Sequence, residues 1–255
     1  MSWCKNNIVC DNKFLVPLAV FVIAVAFRVW LYSNDNWMPS RDSIGYAQCV
    51  AQWKNTGRFY ADQSEIAWQH QYYPPLLLVL EKNFSCGDKN PLRVGVIINI
   101  VAGVVFCLLI YWIGWLLFKS LSGAYIAGMF AAVNPFLIEL SVQAQREMLF
   151  LVFVAAILCL WLKDEFRCPR DIVWGGVFTA LAFLSRYEAL ELLPAWWAVL
   201  WIRMHKNKSW PARCGWCIAL LAIFVCSVLL LGWLCGVPLR LYYNQCLRIA
   251  VKVFR

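Results

Sequence analysis

Seven apolar runs divide the chain, at residues 14–32, 92–118, 122–140, 148–162, 172–185, 189–202 and 215–235. A helix needs about 20 apolar residues to cross ~30 Å of hydrocarbon, and the first, second and last runs meet that length. The fourth, fifth and sixth hold only about 14 or 15 residues, which predicts tilted helices, polar ends or partial burial in protein. Pro135 and Pro194 interrupt their runs, an arrangement membrane helices tolerate when neighbours satisfy the freed carbonyls. Gly175-Gly176, Gly123 and Gly128 predict close helix contacts. The fold class expected is all-α. It is a polytopic transmembrane bundle of about seven spans, forming one domain over residues 1–255. A long exterior loop, 33–91, carries amphipathic helices between the first two spans, and a basic tail occupies 236–255.

Composition agrees with a life in lipid. Only 15% of residues are charged against roughly 25% in a soluble domain, and mean hydropathy is +0.63. The net charge of +9 raises nucleic acid as a partner, but the basic residues sit in short loops beside apolar runs, where they set orientation instead. With Lys5 and Lys13 on the cytoplasmic side, the cytoplasmic turns carry Lys119, then Lys163, Arg167 and Arg170, then Arg203, Lys206, Lys208 and Arg213. The opposite short turns carry only Arg146 and Arg186, a strong positive-inside asymmetry. The tail, with Arg240, Arg248, Lys252 and Arg255, breaks that pattern, which leaves two readings, a turn back along the interface or a truncated member of a longer design. Residues 14–32 resemble a signal-peptide core, but no small-residue cleavage site follows, so an uncleaved first span is expected.

Cysteines add little. Cys107, Cys159, Cys226 and Cys235 read as small buried hydrophobes, and Cys214-Gly-Trp-Cys217 is a lone pair without the partners that zinc or redox work requires. Cys49 and Cys86 share the large loop, which leaves open a disulfide in an oxidising compartment.

The chemistry-bearing residues gather on the exterior face. Asp42, Glu147 and Glu188 stand beside Arg41, Arg146 and Arg186 in three turns far apart in sequence. Any one of them could be an interfacial anchor; recurrence on one face points to a site. Arg41 to Tyr60 has helical periodicity, with Ile44, Ala47, Val50 and Ala51 on one face and Gly57 at the end. Asp42 lies in the first turn, where the helix dipole favours its ionised form, and a plain capping role is the bland alternative. In His70-Gln-Tyr-Tyr73-Pro74-Pro75 the prolines force an extended approach to an apolar run and hold His70, Tyr72 and Tyr73 near the surface.

The order Arg41-Asp42…Tyr46, Gly57…Tyr60, Tyr73-Pro-Pro75, Asn134-Pro135…Ser141, Arg146-Glu147 and Gly175…Arg186-Tyr-Glu188…Pro194 resembles the membrane-embedded GT-C glycosyltransferases. It is most similar to the group of dolichyl-phosphate-mannose protein mannosyltransferases and aminoarabinose transferases. The likeness covers roughly residues 14–200 and rests on the order of short motifs. Tyr73 stands where the aminoarabinose transferases carry a lysine, so phosphate contact falls to Arg93, Arg146, Arg186 or Lys82. Full members of the group have more spans and often an exterior carboxy-terminal domain, so a truncated member is one reading of this chain, and it bears on whether the chain acts alone.

The resemblance implies an enzyme of the inner (plasma) membrane with its active face periplasmic or extracellular. It would move a sugar from a polyprenyl-phosphate donor to a lipid, glycan or protein acceptor, with inversion at the sugar carbon. Asp42 is the candidate base and Glu147 the second catalytic acid, which orients the acceptor. Arg186, with Arg146 behind it, is the candidate phosphate clamp, because guanidinium makes paired, charge-assisted bonds and keeps its charge. Arg41, Tyr46, His70, Tyr73, Arg93 and Glu188 complete the candidate substrate site. No cofactor is assigned; Asp42, Glu147 and His70 offer ligands for a divalent metal but lack a metal-type spacing. The rivals are a non-catalytic subunit or remnant, and a transporter of lipid-linked sugar. A transporter would want ionisable residues inside its spans, and the apolar runs read as nearly free of charge, with Glu139 a marginal exception.

Overall fold

The computed structural model describes residues 4–34, 38–57, 75–85, 90–163, 169–204 and 210–234, and every element among them is helical. In chain order these are α1 (Cys4–Ser33), α2 (Arg41–Thr56), α3 (Pro75–Phe84), α4 (Pro91–Phe118), α5 (Leu121–Val133) and α6 (Pro135–Val142). Then come α7 (Arg146–Leu162), α8 (Pro169–Ser185), a 3-10 turn (Tyr187–Glu191), α9 (Leu192–Met204) and α10 (Trp210–Leu234). Every apolar run of the sequence is thus helix. Among the described residues three helices are long and apolar enough to cross a membrane, Leu15–Ser33, Pro91–Phe118 and Trp210–Leu234. A fourth crossing results if α5 and α6, bent by 55°, count as one span. Helices α7, α8 and α9 have 17, 17 and 13 residues.

Helix α4 runs through the middle and packs against α1, α2, α3, α5, α6 and α7, while α8 joins α7 to α10. Close approach depends on bare backbone. A Cβ on Gly175 would lie 2.5 Å from the ring of Trp196, so α8 can seat that fully buried indole only at a glycine. The indole N–H in turn donates to Thr179 Oγ1 (3.1 Å). Pro194 falls in the first turn of α9, where its missing N–H breaks no helical bond.

At Pro135 the chain breaks. Helix α5 ends at Val133, and Asn134 caps α6 by accepting the Leu137 N–H on Oδ1 (3.1 Å). The break leaves carbonyls of the last turn of α5 without helical donors, a severe cost in hydrocarbon unless neighbours answer them. Arg28 answers. It lies wholly buried inside the first apolar run, an exception to the reading of the runs as nearly free of charge, which named Glu139 alone. Its Nη1 donates to Ala132 O (3.5 Å) and Ala24 O (3.0 Å), and its Nε donates to Ser141 Oγ (3.1 Å). Nη2 reaches Cys107 Sγ at 3.4 Å. One side chain therefore ties α1 to α4, α5 and α6.

Helix α2 begins after Ser40, whose hydroxyl accepts the Ser43 N–H (3.1 Å), and ends at Gly57 with φ of 70°. The capping residue is Ser40, so Asp42 is free of that structural duty. The buried face is Ser43, Tyr46, Cys49, Val50 and Trp53, not the Ile44, Ala47, Val50 and Ala51 face expected; Ile44 is 43% exposed. The larger rings of Tyr46 and Trp53 bury more apolar area than the small residues beside them, and that rotates the helix. Cys107 and Cys159 are buried as expected, whereas Cys226 faces outward. Cys49 is a buried thiol, and Cys86 and Cys235 lie outside the described residues.

Arg28→Met keeps most of the bulk and removes the donors to Ala132 and Ser141. We expect a loss of about 2 kcal/mol, the usual scale for stranding buried acceptors, seen as a lower Tm in detergent. An unchanged Tm would refute the latch.

Candidate functional site

The amino terminus of α7 meets the carboxy terminus of α8. Sequence dictates both ends: Gln143 to Gln145 turn the chain out of α6, and α8 stops at Ser185 before the 3-10 turn. Arg146 and Glu147 therefore open α7 on the same surface to which Arg186 and Glu188 are delivered. Arg186 is shared: Nη1 donates to Glu147 Oε1 (3.3 Å), Nη2 to Glu188 Oε1 (3.0 Å), and Nε to Glu188 Oε2 (3.3 Å). Arg146 Nε donates to Glu147 Oε1 at 3.4 Å. The guanidinium of Arg186 also lies 5.7 Å from the Phe150 ring centroid, within cation–π range. All of these groups are partly exposed, so a solute at this surface can reach them.

The electrostatics follow from that sharing. Burial alone pushes the Glu188 carboxyl up, but its hydrogen bond from Arg186, its own backbone N–H and the charges of Arg186 and Arg146 outweigh it. The net shift is below the ordinary 4.5. The Glu188 hydrogen bond, partly opposed by burial and aided by the charges of Glu188 and Glu147, holds Arg186 more firmly protonated than usual.

The first loop reaches the same end of the bundle through packing. Tyr46, Cys49, Val50 and Trp53 of α2 share one apolar layer with Met148 and Leu149 of α7 and with Phe183, Leu184 and Ala189. Asp42 and Arg41 are exposed at the start of α2, and Asp42 makes no ion pair with the arginines of the cluster among the described residues. Tyr46 is 2% exposed, in the apolar layer. Arg93 is exposed in the first turn of α4. Lys82 is held over the Trp53 ring, 3.8 Å from its centroid. His70 and Tyr73 lie outside the described residues. Two of the three acid–arginine turns thus join directly, and the third is linked to them through shared core.

An apolar groove of about 360 Å³ is lined by Leu80 and Phe84 of α3, Ile98, Val101, Ala102 and Val105 of α4, and Leu149 and Val152 of α7. Leu149 and Val152 put one wall of the groove on α7, the helix that Arg146 and Glu147 open, and none of the four charged residues lines it. Among the described residues no trio of His, Cys, Asp or Glu gathers to hold a metal.

Two polar residues inside apolar runs escaped the sequence reading. Glu81 is fully buried on α3 with neither carboxylate oxygen bonded, and Asn99 is fully buried on α4. The signal was available: a glutamate in Leu-Leu-Leu-Val-Leu-Glu81 and an asparagine in Ile-Ile-Asn99-Ile-Val are costly unless they serve something.

A family model for dolichyl-phosphate-mannose-protein mannosyltransferase matches residues 74–233. That stretch takes in Arg93, Arg146, Glu147, Arg186 and Glu188 and leaves Arg41, Asp42, Tyr46, His70 and Tyr73 outside it. No curated protein matches the chain.

Because Glu188 is held below its ordinary value, its pairing with Arg186 stabilises the fold above about pH 4.5 and is lost as pH falls through the lower folded value. The Tm of the wild type should therefore drop on acidification from about pH 6 to about pH 3 more steeply than that of Glu188→Gln. Parallel curves would remove the pair from the acid limb.

Proposed function

The chain belongs to the dolichyl-phosphate-mannose-protein mannosyltransferase family, and from that premise we propose that it transfers a sugar from a polyprenyl-phosphate carrier to a hydroxyl acceptor at the exterior face of the membrane. The observation that carries the reading is the guanidinium of Arg186, bridging Glu147 and Glu188 in a bundle whose α7 also walls an apolar groove. The groove suits the polyprenyl chain and the arginines suit its phosphate.

In this reading the acceptor oxygen attacks the anomeric carbon as the bond from that carbon to the phosphate oxygen breaks. The acceptor proton passes to Asp42, and the released polyprenyl phosphate carries the electron pair and the negative charge. Carboxylates serve as such bases when held within hydrogen-bond reach of the hydroxyl. Arg186 and Arg146 stabilise the departing phosphate, where charge develops. Glu147 orients both the acceptor and Arg186. His70, Tyr73, Tyr46, Arg41 and Arg93 belong to the sugar and carrier side of the same pocket. All seven apolar helical segments cross the bilayer as a single domain, the amino terminus is cytosolic, and the cluster faces the periplasm or cell exterior, as the distribution of basic residues favours.

The transporter reading has one feature in its favour, the buried Arg28. Its donors are engaged with Ala24, Ala132 and Ser141 as a latch across the helix break, which explains its burial without a transport cycle.

The test uses the full chain in liposomes with a polyprenyl-phosphate-mannose donor and a panel of lipid, glycan and peptide acceptors. Asp42→Asn should lower turnover by about 100-fold or more, the usual scale for losing a general base, with insertion and Tm unchanged. Wild-type turnover by that variant would end the base assignment. In the same assay Val101→Trp, which fills the groove, should raise KM for the donor about tenfold and leave kcat nearly intact, since it removes binding shared by ground and transition states. An unaltered KM would detach the groove from the carrier.

A further inference from the structure

Glu81 is the unexplained group. It lies on α3 with 0% exposure, and both carboxylate oxygens lack a hydrogen-bond partner. Its Oε1 rests against the bare backbone of α4 at Gly95, where any Cβ would collide with it, and the same Cβ would lie 2.8 Å from Ala144 Cβ. The carboxyl is therefore wedged between α4 and the turn that links α6 to α7. One helical turn after Gly95, Asn99 holds that turn: its Nδ2 donates to Gln145 O at 2.6 Å and also to Gln143 O. These two bonds fix the orientation of the amide and leave Asn99 Oδ1 buried with no donor. The junction thus holds three buried acceptor oxygens and is short of donors.

An unpaired carboxylate in such a place is far more costly than an unpaired neutral group. A single proton resolves the deficit. It removes the charge and converts one carboxyl oxygen into the donor that Asn99 Oδ1 lacks. We propose that Glu81 is a positioning residue held as a neutral carboxylic acid, whose O–H bonds Asn99 and so fixes the 143–145 turn from which Arg146 and Glu147 project.

The surroundings agree. Burial holds the Glu81 carboxyl well above the ordinary 4.5. Its titratable neighbour on α2 is the Cys49 thiol, pushed up to about 12 by burial and by Glu81, so the sulfur keeps its proton and adds no charge. Helix α4 presents Gly95 and Asn99 at this junction and the turn presents Ala144, none of which titrates. Lys82, the next residue, is turned away over Trp53.

The sign of the pH effect follows. An acid whose folded value is raised stabilises the fold fully below its ordinary value and loses that contribution as pH rises toward the folded value. The wild type should therefore lose Tm, and its transferase rate should fall, on going from about pH 5 to about pH 9. Glu81→Gln supplies a permanent N–H donor of nearly the same shape. It should keep at least half of the rate at low pH and lose the alkaline decline. Glu81→Leu, without a donor, should lose about tenfold in kcat, with KM for the donor little changed, because it loosens groups that act in the transition state.

Infrared spectroscopy of the full chain in liposomes gives a readout independent of turnover. The wild type should show a protonated-carboxyl C=O band at neutral pH that is absent from Glu81→Gln. The activity arm rests on the transferase reading; the infrared and Tm arms do not, and they decide the protonation even if the donor is never turned over. Absence of the band, or a Glu81→Gln variant as impaired as Glu81→Leu, overturns the proposal and points to an ionised carboxylate with a cation partner.

Discussion

Hydrocarbon offers no solvent for a broken helix, so every polar group that the chain frees inside the bundle must be answered from within it. The break at Asn134 is where this constraint is felt most. It lets α6 depart from α5 by 55° and deliver the 143–145 turn to the end of the bundle. Without Arg28 the freed Ala132 carbonyl would lack the guanidinium that reaches it across from α1. The cluster at Arg146 and Glu147 thus depends on an arginine over a hundred residues earlier that never touches it.

The cluster itself is balanced. Arg146 and Arg186 bring two positive charges, and Glu147 and Glu188 bring two negative ones, so the described groups sum to zero. A phosphate arriving here does not meet a bare cation; it must draw Arg186 away from a carboxylate. Charge-assisted bonds contribute roughly 1.5–3 kcal/mol each, so a phosphate must match what it displaces. The arrangement favours a ligand that also brings apolar area. On the proposed reading, burying tail in the groove against α7, at roughly 25 cal/mol per Å², would supply that surplus. Selectivity for a lipid-linked phosphate over a free one would come from this coupling of head and tail.

Periodicity and apolar length made the helices legible. Each apolar run became a helix, Gly57 ended α2 as its left-handed tendency implies, and Pro135 marked the break. The arginine–carboxylate cluster was legible too, because charged residues at span ends recurred beside one another. Single polar residues inside apolar stretches were not. Arg28, Glu81 and Asn99 are invisible to a composition window, since one such residue scarcely changes the mean hydropathy of twenty neighbours. Their partners, a carbonyl across a helix break and a bare glycine on another helix, exist only after folding. The face of α2 was misread for a related reason: periodicity identifies a stripe, but Tyr46 and Trp53 decided which stripe went inward.

Short α3 joins these threads. Leu80 and Phe84, four residues apart, line the groove, while Leu77 and Glu81, also four apart, point into the core. Lys82 reaches back to α2 over Trp53. Helical spacing alone puts a tail-binding face, a polar wedge and a tie to the Asp42-bearing helix on ten residues. A carrier chain pressing on Leu80 and Phe84 would therefore press on the helix whose neighbouring face seats Glu81 against the 143–145 turn that precedes Arg146 and Glu147. Because packed interiors resist compression, displacement on one face is transmitted to the other rather than absorbed. On the proposed reading, occupancy of the groove would bear on the set of the charged cluster through this one short helix.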